Sequence, residues 1–489
     1  MPMYRMAVGI GMAVIAMGIS CLAWGLEDKA LTEVTLSECI QIAGVHNVGM
    51  QNAREDLKAA KAMFRSAEAE FIPTVDLGGR RTYPNFEQGE RPQTEDQFTV
   101  SLSQKIFTGG RLSLNGRLYR REGEVAGAEE YASDVQVEFR QPFLRGGGLW
   151  APMAALWKAR HALLRQQMSL KLQEQQLILN VTSGYYGVLK AALFIKVRER
   201  ALEGARNSLR RAVVNFRVDR AAEIDTLQAR LQVSTAENAL IGAQESLIAA
   251  KENLLFLMGL DVDRKLRLAE EANVEQIRFV PYAVDVEEAI QTAMRHRLDL
   301  KQLDLQIEDA RLSVMAAGDA KESRFDLFST YGMSTLGDSF DAAMELTDPV
   351  WMFGFEFQMP LWNVRERQAY KQAMIQYRKL RNTVEERKRG VVREVREVVR
   401  SVQTSQNRLR VLEQALALAR ETYELRGKSY EKGYSTITDF LRAQQDLTAT
   451  EQSYYSALMT YKTDLVRLQK AIGMLSIEAM EMRWMSDTK

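Results

Sequence analysis

Proline placement constrains this chain more than any other feature. After Pro152 no proline occurs until Pro281, and after Pro360 none occurs at all. A proline inside a helix removes a hydrogen bond and clashes with the preceding turn, so these two gaps permit two very long helices. Ala, Leu, Glu, Gln, Arg and Lys, all strong helix formers, dominate both stretches. Apolar residues recur at three- and four-residue steps, as in Leu231, Val233, Leu240, Ile241, Leu247, Ile248, Leu254 and Leu255. A helix over 153–216 would be ~95 Å long at ~1.5 Å per residue. Helices of that length pack side by side in a coiled-coil-like assembly.

The remaining prolines cluster where the pattern changes to period two. Phe98, Val100, Leu102 and Ile106 alternate with Thr99, Ser101, Ser103 and Lys105. Leu112, Leu114 and Leu118 alternate with Arg111, Ser113 and Arg117; Val135, Val137 and Phe139 alternate with Asp134, Gln136, Glu138 and Arg140. Trp351, Phe353, Phe355 and Phe357 form an aromatic face. One apolar and one charged face suit a membrane β-barrel with lipid outside and a wet lumen. A half-buried strand in a soluble sandwich shows the same alternation. The N-terminus favours the barrel.

Arg5 supplies a basic start, Met6 to Leu22 is apolar, and Ala23-Trp24-Gly25 fits the small-x-small rule for signal cleavage. The run is short for a bilayer-spanning helix of roughly 20 residues, and no later segment is expected to span as one. Cys21 lies inside this signal, leaving Cys39 without an intrachain partner. An alternative reading makes Gly18-Ile19-Ser20-Cys21 a lipoprotein site with Cys21 acylated, although the usual leucine three residues earlier is missing. Lys+Arg at 65 nearly cancel Asp+Glu at 64, so no global field favours nucleic acid.

The chain also repeats itself. A shift of 250 residues brings Glu38, Ile40, Gln41 and Ala43 onto Glu288, Ile290, Gln291 and Ala293. Further along the shift falls to 218, where Phe139 and Pro142 meet Phe357 and Pro360. It settles at 214, where Asp225, Leu227, Ala229, Glu237, Leu254 and Gly259 meet Asp439, Leu441, Ala443, Glu451, Leu468 and Gly473. Each half reads helix, strands, long helix, tight turn, return helix. The drop from 250 to 218 gives the first half 32 extra residues, about one hairpin, with Thr108-Gly109-Gly110 as its turn. Four strands are expected in the first half and two in the second. The domain reading is a signal peptide at 1–25 and a first repeat at 26–258, with strands about 74–144. An equatorial linker follows at 259–283, then a second repeat at 284–473 with strands about 325–360, and a tail at 474–489.

Five stretches in this order resemble the TolC-like outer-membrane efflux protein family. They are Leu36-Ser-Glu-Cys-Ile-Gln-Ile-Ala43, Phe71-Ile-Pro-Thr-Val75, Leu102-Ser-Gln-Lys-Ile-Phe-Thr-Gly-Gly110, Ala222-Glu-Ile-Asp-Thr-Leu-Gln-Ala229 and Tyr430-Glu-Lys-Gly-Tyr-Ser-Thr-Ile-Thr-Asp-Phe-Leu-Arg-Ala443. The resemblance implies a mainly α fold with a membrane β-barrel: a homotrimer closing one barrel in outer-membrane lipid and one α-helical barrel through the periplasm. It implies a periplasmic adaptor (membrane fusion) protein and an inner-membrane transporter as partners. The channel itself would do no chemistry and need no cofactor or metal. Drug efflux, metal export and protein secretion all remain open as cargo, small-molecule efflux being the commoner use.

The resemblance also places a gate at the helix turns, near Arg217–Glu223 and Glu431–Ser435. Gly433 suits the second turn, because glycine takes positive φ at little cost, and Asp219 stands at the equivalent place in the first. Asp439 matches the position that can set one carboxylate per protomer around the pore, where three like charges raise their own pKa and attract cations. The competing reading makes Asp439, like Asp225, a helix N-terminal cap. Tyr430 and Asp225 match a tyrosine and an aspartate that lock neighbouring hairpins. Arg442 replaces a second pore aspartate, and Ser435 replaces the locking arginine. A weaker, single-ring constriction is therefore expected.

Other classes fit less well. His46, His161 and His296 are scattered, and Gly427-Lys428-Ser429 imitates the end of a phosphate loop whose first glycine is replaced by Thr422. Of twenty-two methionines five lie at or before Met17, and apart from Met480, Met482 and Met485 the rest are spread as packing residues. A periplasmic coiled-coil scaffold or adaptor without a pore would explain the helices and the signal but not the period-two segments.

Overall fold

The computed structural model describes residues 31–82, 94–122, 129–218, 222–271, 279–432 and 434–476. The expected signal with Cys21, the turn residues Asp219 and Gly433, and Met480, Met482 and Met485 lie outside these residues. The chain divides into two compact units. One comprises Met1–Asn52, Lys171–Arg297 and Val391–Lys489, the other Ala53–Leu170 and Leu298–Gly390.

The elements run β1 (Leu31–Val34), α1 (Leu36–His46), α2 (Val48–Ala69), β2 (Thr74–Thr82), β3 (Glu95–Lys105), β4 (Arg111–Glu122) and β5 (Glu129–Pro142). Then come α3 (Trp150–Arg217), α4 (Glu223–Met258), β6 (Leu266–Leu268), α5 (Val286–His296), α6 (Leu298–Asp319) and β7 (Arg324–Gly337). The chain continues with α7 (Phe340–Ala343), β8 (Asp348–Gln358), α8 (Val364–Glu431) and α9 (Ile437–Ala471). The two proline-free stretches supply α3 and α8, each of 68 residues. Pro152 sits in the first turn of α3, where the missing N–H has no partner to lose.

The second unit is built on one antiparallel sheet in the order β2-β3-β4-β5-β7-β8. Four strands come from the first half of the chain and two from the second. Register puts Val75 opposite Leu102, Leu102 opposite Leu114, Leu114 opposite Val137, Val137 opposite Tyr331 and Tyr331 opposite Trp351. Directly opposed residues share a face, so most apolar residues of the six strands fall on one side, while Phe328, Leu336, Val350 and Met352 stand on the other. That side is uncovered: Trp351, Phe353 and Phe355 are 75%, 72% and 69% exposed. The other side is polar, with Arg117 and Asp134 paired at 3.1 Å. The β3–β4 turn closes through Ile106 N donating to Gly110 O at 2.7 Å and Gly109 N to Ile106 O at 2.9 Å. Gly109 has φ +86°, and a Cβ there would stand 2.0 Å from Gly146 O. Among the described residues β2 and β8 have no strand on their outer sides.

The first unit buries its core between helices. Cys39, Ile178, Val181, Tyr185, Leu189, Leu254, Leu458 and Tyr461 are inaccessible or nearly so. Part of α3 is apolar enough to cross a bilayer, contrary to the sequence expectation, but 61% of that stretch is buried inside the protein and serves this core. The Cys39 thiol is free, and burial pushes its pKa up to about 12. β1 pairs in parallel with β6.

The same local geometry occurs at positions related by the sequence shifts. The caps after α1 and α5 are Asn47 at φ −64°, ψ 124° and Arg297 at φ −63°, ψ 123°. Gly259 (φ +74°) ends α4 against the backbone of His46, and Gly473 (φ +77°) follows α9 against the backbone of His296 and Arg297. A Cβ on Gly259 would lie 2.5 Å from His46 O. Gly259→Ala therefore combines left-handed strain of about 1–2 kcal/mol with a clash that backbone must relieve. A fall of at least about 1 kcal/mol in unfolding free energy is expected by denaturant titration; an unchanged midpoint would contradict this packing.

Candidate functional site: the hairpin tips

The long helices reverse at two turns within the first unit. The chain leaves α3 at Arg217 and enters α4 at Glu223; it leaves α8 at Glu431 and enters α9 at Ile437. Both return helices start with an aspartate at their third position, and the two starts differ in strength. In α9 Thr436 is the N-cap: its Oγ1 accepts from Asp439 N at 3.2 Å and donates to the Asp439 carboxylate at 2.8 Å. Asp439 is thus not the cap itself, as the competing sequence reading had it, but the residue that holds the cap. In α4 the N-cap is Ala222, which has no side-chain acceptor, and only Asp225 reaches back to Ala222 N at 3.3 Å. Substituting Ser, Thr, Asn or Asp by Ala at an N-cap typically costs about 1 kcal/mol, so the first tip is the looser start.

Electrostatics follow from these bonds. The Thr436 hydroxyl holds the Asp439 carboxyl below the usual carboxylate range, helped by the Arg426 and Arg442 guanidiniums. Within one chain Asp439 is therefore an anion with cations around it, and Arg442, exposed on α9, lowers its pKa rather than adding an acid. The upward shift expected of a carboxylate ring needs neighbouring chains.

Beneath the turn lies a small core of Ala212, Ala229, Tyr430, Ile437, Phe440 and Leu441. Phe440 stacks on Tyr430 at 5.8 Å between centroids and on Tyr423 at 5.4 Å. Tyr423, Gly427 and Tyr430 follow one another at steps of four and three, one face of α8. Gly427 lets Phe440 approach: a Cβ there would stand 3.2 Å from its ring. Burial pushes the Tyr430 phenol up, and the Asp225 carboxylate pushes the same way. Among the described residues neither the Tyr430 hydroxyl nor the Ser435 hydroxyl, both buried, has a hydrogen-bond partner. Asn215 is near the phenol and pulls its pKa down, without a bond of ordinary geometry.

The two hairpins are joined on their flanks. Thr438 donates to Gln228 at 3.2 Å, Gln445 to Gln232 at 2.9 Å, and Gln444 to the Ala201 carbonyl at 2.9 Å. Arg211 and Glu431 pair at 2.6 Å on the surface, a contact worth under ~1 kcal/mol. Farther from the turn the nearly buried Glu451 of α9 takes Arg420 of α8 at 3.1 Å and Arg200 of α3 at 3.5 Å.

Of the residues expected at the tip, Asp225, Tyr430, Ser435, Asp439 and Arg442 come together around this core, and Gly433 lies outside the described residues. Sequence reasoning missed Thr436, Gly427 and Phe440. Gly427 was visible as the one small residue between two tyrosines on a helical face. Phe440→Ala should loosen the tip locally by about 3 kcal/mol. The expected readout is faster amide exchange over 423–441 with the Tyr185 core unchanged; unaltered tip exchange would contradict the stack's role.

Comparison with known proteins gives one answer. The profile of the family described as Outer membrane efflux protein matches residues 39–141 and 289–474. Outer membrane protein TolC of Escherichia coli (strain K12) is 24% identical over 324 residues, covering 64% of this chain and 64% of TolC, just under two thirds of that relative's length. TolC of Salmonella enteritidis is 25% identical over 448 residues, 90% of this chain and 82% of the relative. The crystal structure of CusC, reported with conformational changes accompanying folding and transmembrane channel formation, matches with a TM-score of 0.68. It is 17% identical and covers 92% of this chain and 95% of CusC, a shared fold. With one lipid-suited strand face, two long helical hairpins and matches of this extent, the chain belongs to the TolC-like outer membrane efflux protein family, whose members are channels of the outer membrane and not enzymes.

Proposed function

We propose that this protein is the outer-membrane channel of a tripartite export system, a passive conduit from an inner-membrane transporter to the exterior. The open sheet carries this reading. Its apolar face is too large and too aromatic to stand in water, and its edge strands present unpaired backbone groups that lipid cannot satisfy. Three six-stranded sheets joined edge to edge make eighteen strands, an even closed barrel of the kind outer membranes hold. The polar face then borders the passage.

On this reading residues 1–25 are the export signal, 26–258 and 284–473 the two structural repeats, 259–283 the equatorial linker and 474–489 the tail. Three sets of α3/α4 and α8/α9 would close a helical tunnel in the periplasm. Asp439 would ring its narrow end, with Arg442 in place of a second acid. Tyr430 and Asp225 would stand at the lock between neighbouring hairpins, with Ser435 in place of the locking arginine. A periplasmic adaptor would dock at the tips, as the family resemblance implies, and the cargo would be a small molecule. A pore-free scaffold has no use for Trp351, Phe353 and Phe355 on an uncovered face.

Planar-bilayer recording of the purified protein beside Asp439→Ala tests this. A small, cation-preferring current that grows and loses preference in the variant is expected, since three carboxylates leave the constriction. Silence from correctly folded protein of both kinds would favour the scaffold.

A further inference from the structure

The polar face of the sheet carries, at the end near the β3–β4 turn, a row that stability does not explain. Lys105, Arg111 and Arg140 stand directly opposite one another on β3, β4 and β5. Directly opposed side chains on neighbouring strands have Cβ atoms about 4.5–5.5 Å apart, and like charges there are destabilising. Two of the three are compensated. Lys105 pairs with Glu70 at 3.1 Å and lies over the Phe71 ring. Arg140 takes Glu356 at 2.8 Å, Glu138 at 3.3 Å and Asp326 at 3.6 Å, and lies over Phe328. Among the described residues Arg111, the middle of the row, has no carboxylate.

Arg111 opens instead on a cleft of about 530 Å³ that Arg140, Arg145 and Arg324 also line. Two carboxylates share this lining, Glu138 and Asp326, and Asp326 is held by Arg324 at 2.6 Å. Four guanidiniums against two carboxylates leave a charge of +2 in the lining, with Glu356 on Arg140 and Asp319 on Gly146 N just beyond it. The backbone shapes the same cleft, because Gly109 and Gly146, both at positive φ, border it. Forked guanidiniums grouped around a water-filled space recognise planar or tetrahedral oxyanions.

We propose that this cleft is an anion-binding site for a phosphate or carboxylate group, with Arg111 as its uncompensated charge. It rests on the reading of the polar face as the side bordering the passage, and it deepens that reading: the barrel base would select or retain anionic groups on molecules passing through, opposite in sign to the ring at Asp439.

The test uses the full chain in detergent at low ionic strength, where exposed charges are least screened, with inorganic pyrophosphate as the probe in isothermal titration. Removing one unit charge at contact range is worth about a factor of five, so Arg111→Gln should bind pyrophosphate at least about fivefold more weakly. Arg121→Gln, at the other end of the sheet and paired with Glu95, should bind as the wild type does. The Arg111 variant should also unfold at the same or a higher temperature, since a like-charge contact is relieved. Equal binding by all three proteins, no binding by the wild type, equal weakening in both variants, or a lower unfolding temperature for Arg111→Gln would each overturn the site. Binding in detergent needs no current, so failure here and failure of the conducting role are separate results.

Discussion

Backbone hydrogen bonding at the edges of one sheet governs most of what this chain can be. Each strand leaves alternate N–H and C=O groups pointing outward, and a buried orphan of this kind costs several kcal/mol in hydrocarbon. β2 and β8 are long and carry Val75, Leu77, Phe353 and Phe355. Such edges invite further pairing. Inside a membrane the only resting state for them is closure. The proposed trimer would meet that requirement, three chains of four plus two strands joining edge to edge.

The strands begin and end beside α2, α3, α6 and α8, so the ends of the sheet fix where the helices start. From there the helical unit depends on local devices used twice: left-handed glycines at 259 and 473, extended caps at 47 and 297, and aspartates at 225 and 439 in the return helices. The copies are unequal at the tips. Thr436 completes the cap in the second hairpin while Ala222 leaves it half made in the first. Phe440, stacked between positions 423 and 430 of the facing helix, adds aromatic packing to the tighter hairpin. In the proposed gate this asymmetry would let the first hairpin move more readily than the second.

What was legible in the sequence was whatever one element encodes by itself. Helix length followed from missing prolines and strand faces from period two. The β3–β4 turn was announced by Thr108-Gly109-Gly110, whose Gly109 needs a φ of +86°. Contacts between elements were not legible. Nothing in the alternation of Lys105, Arg111 and Arg140 shows that they meet; only the hydrogen-bonding register sets 105 against 111 and 111 against 140. Phe440 looked like one more helix packing residue until α8 supplied Tyr423 and Tyr430. Capping was the competing reading of Asp439, because an acid near a helix start is often a cap, and the N-cap is the threonine three residues before it. The apolar stretch of α3 was under-read because core burial and membrane burial demand the same composition.

The most direct test of the account is hydrogen exchange on the membrane-embedded protein, comparing outward-facing amides of β2 and β8 with amides of the interior strand β4. Closure by neighbouring chains predicts that Val75–Arg81 and Val350–Phe357 exchange as slowly as Leu112–Leu118. Fast exchange along both outer strands, with β4 still protected, would mean that the edges are open in the membrane and that the sheet is not one third of a barrel.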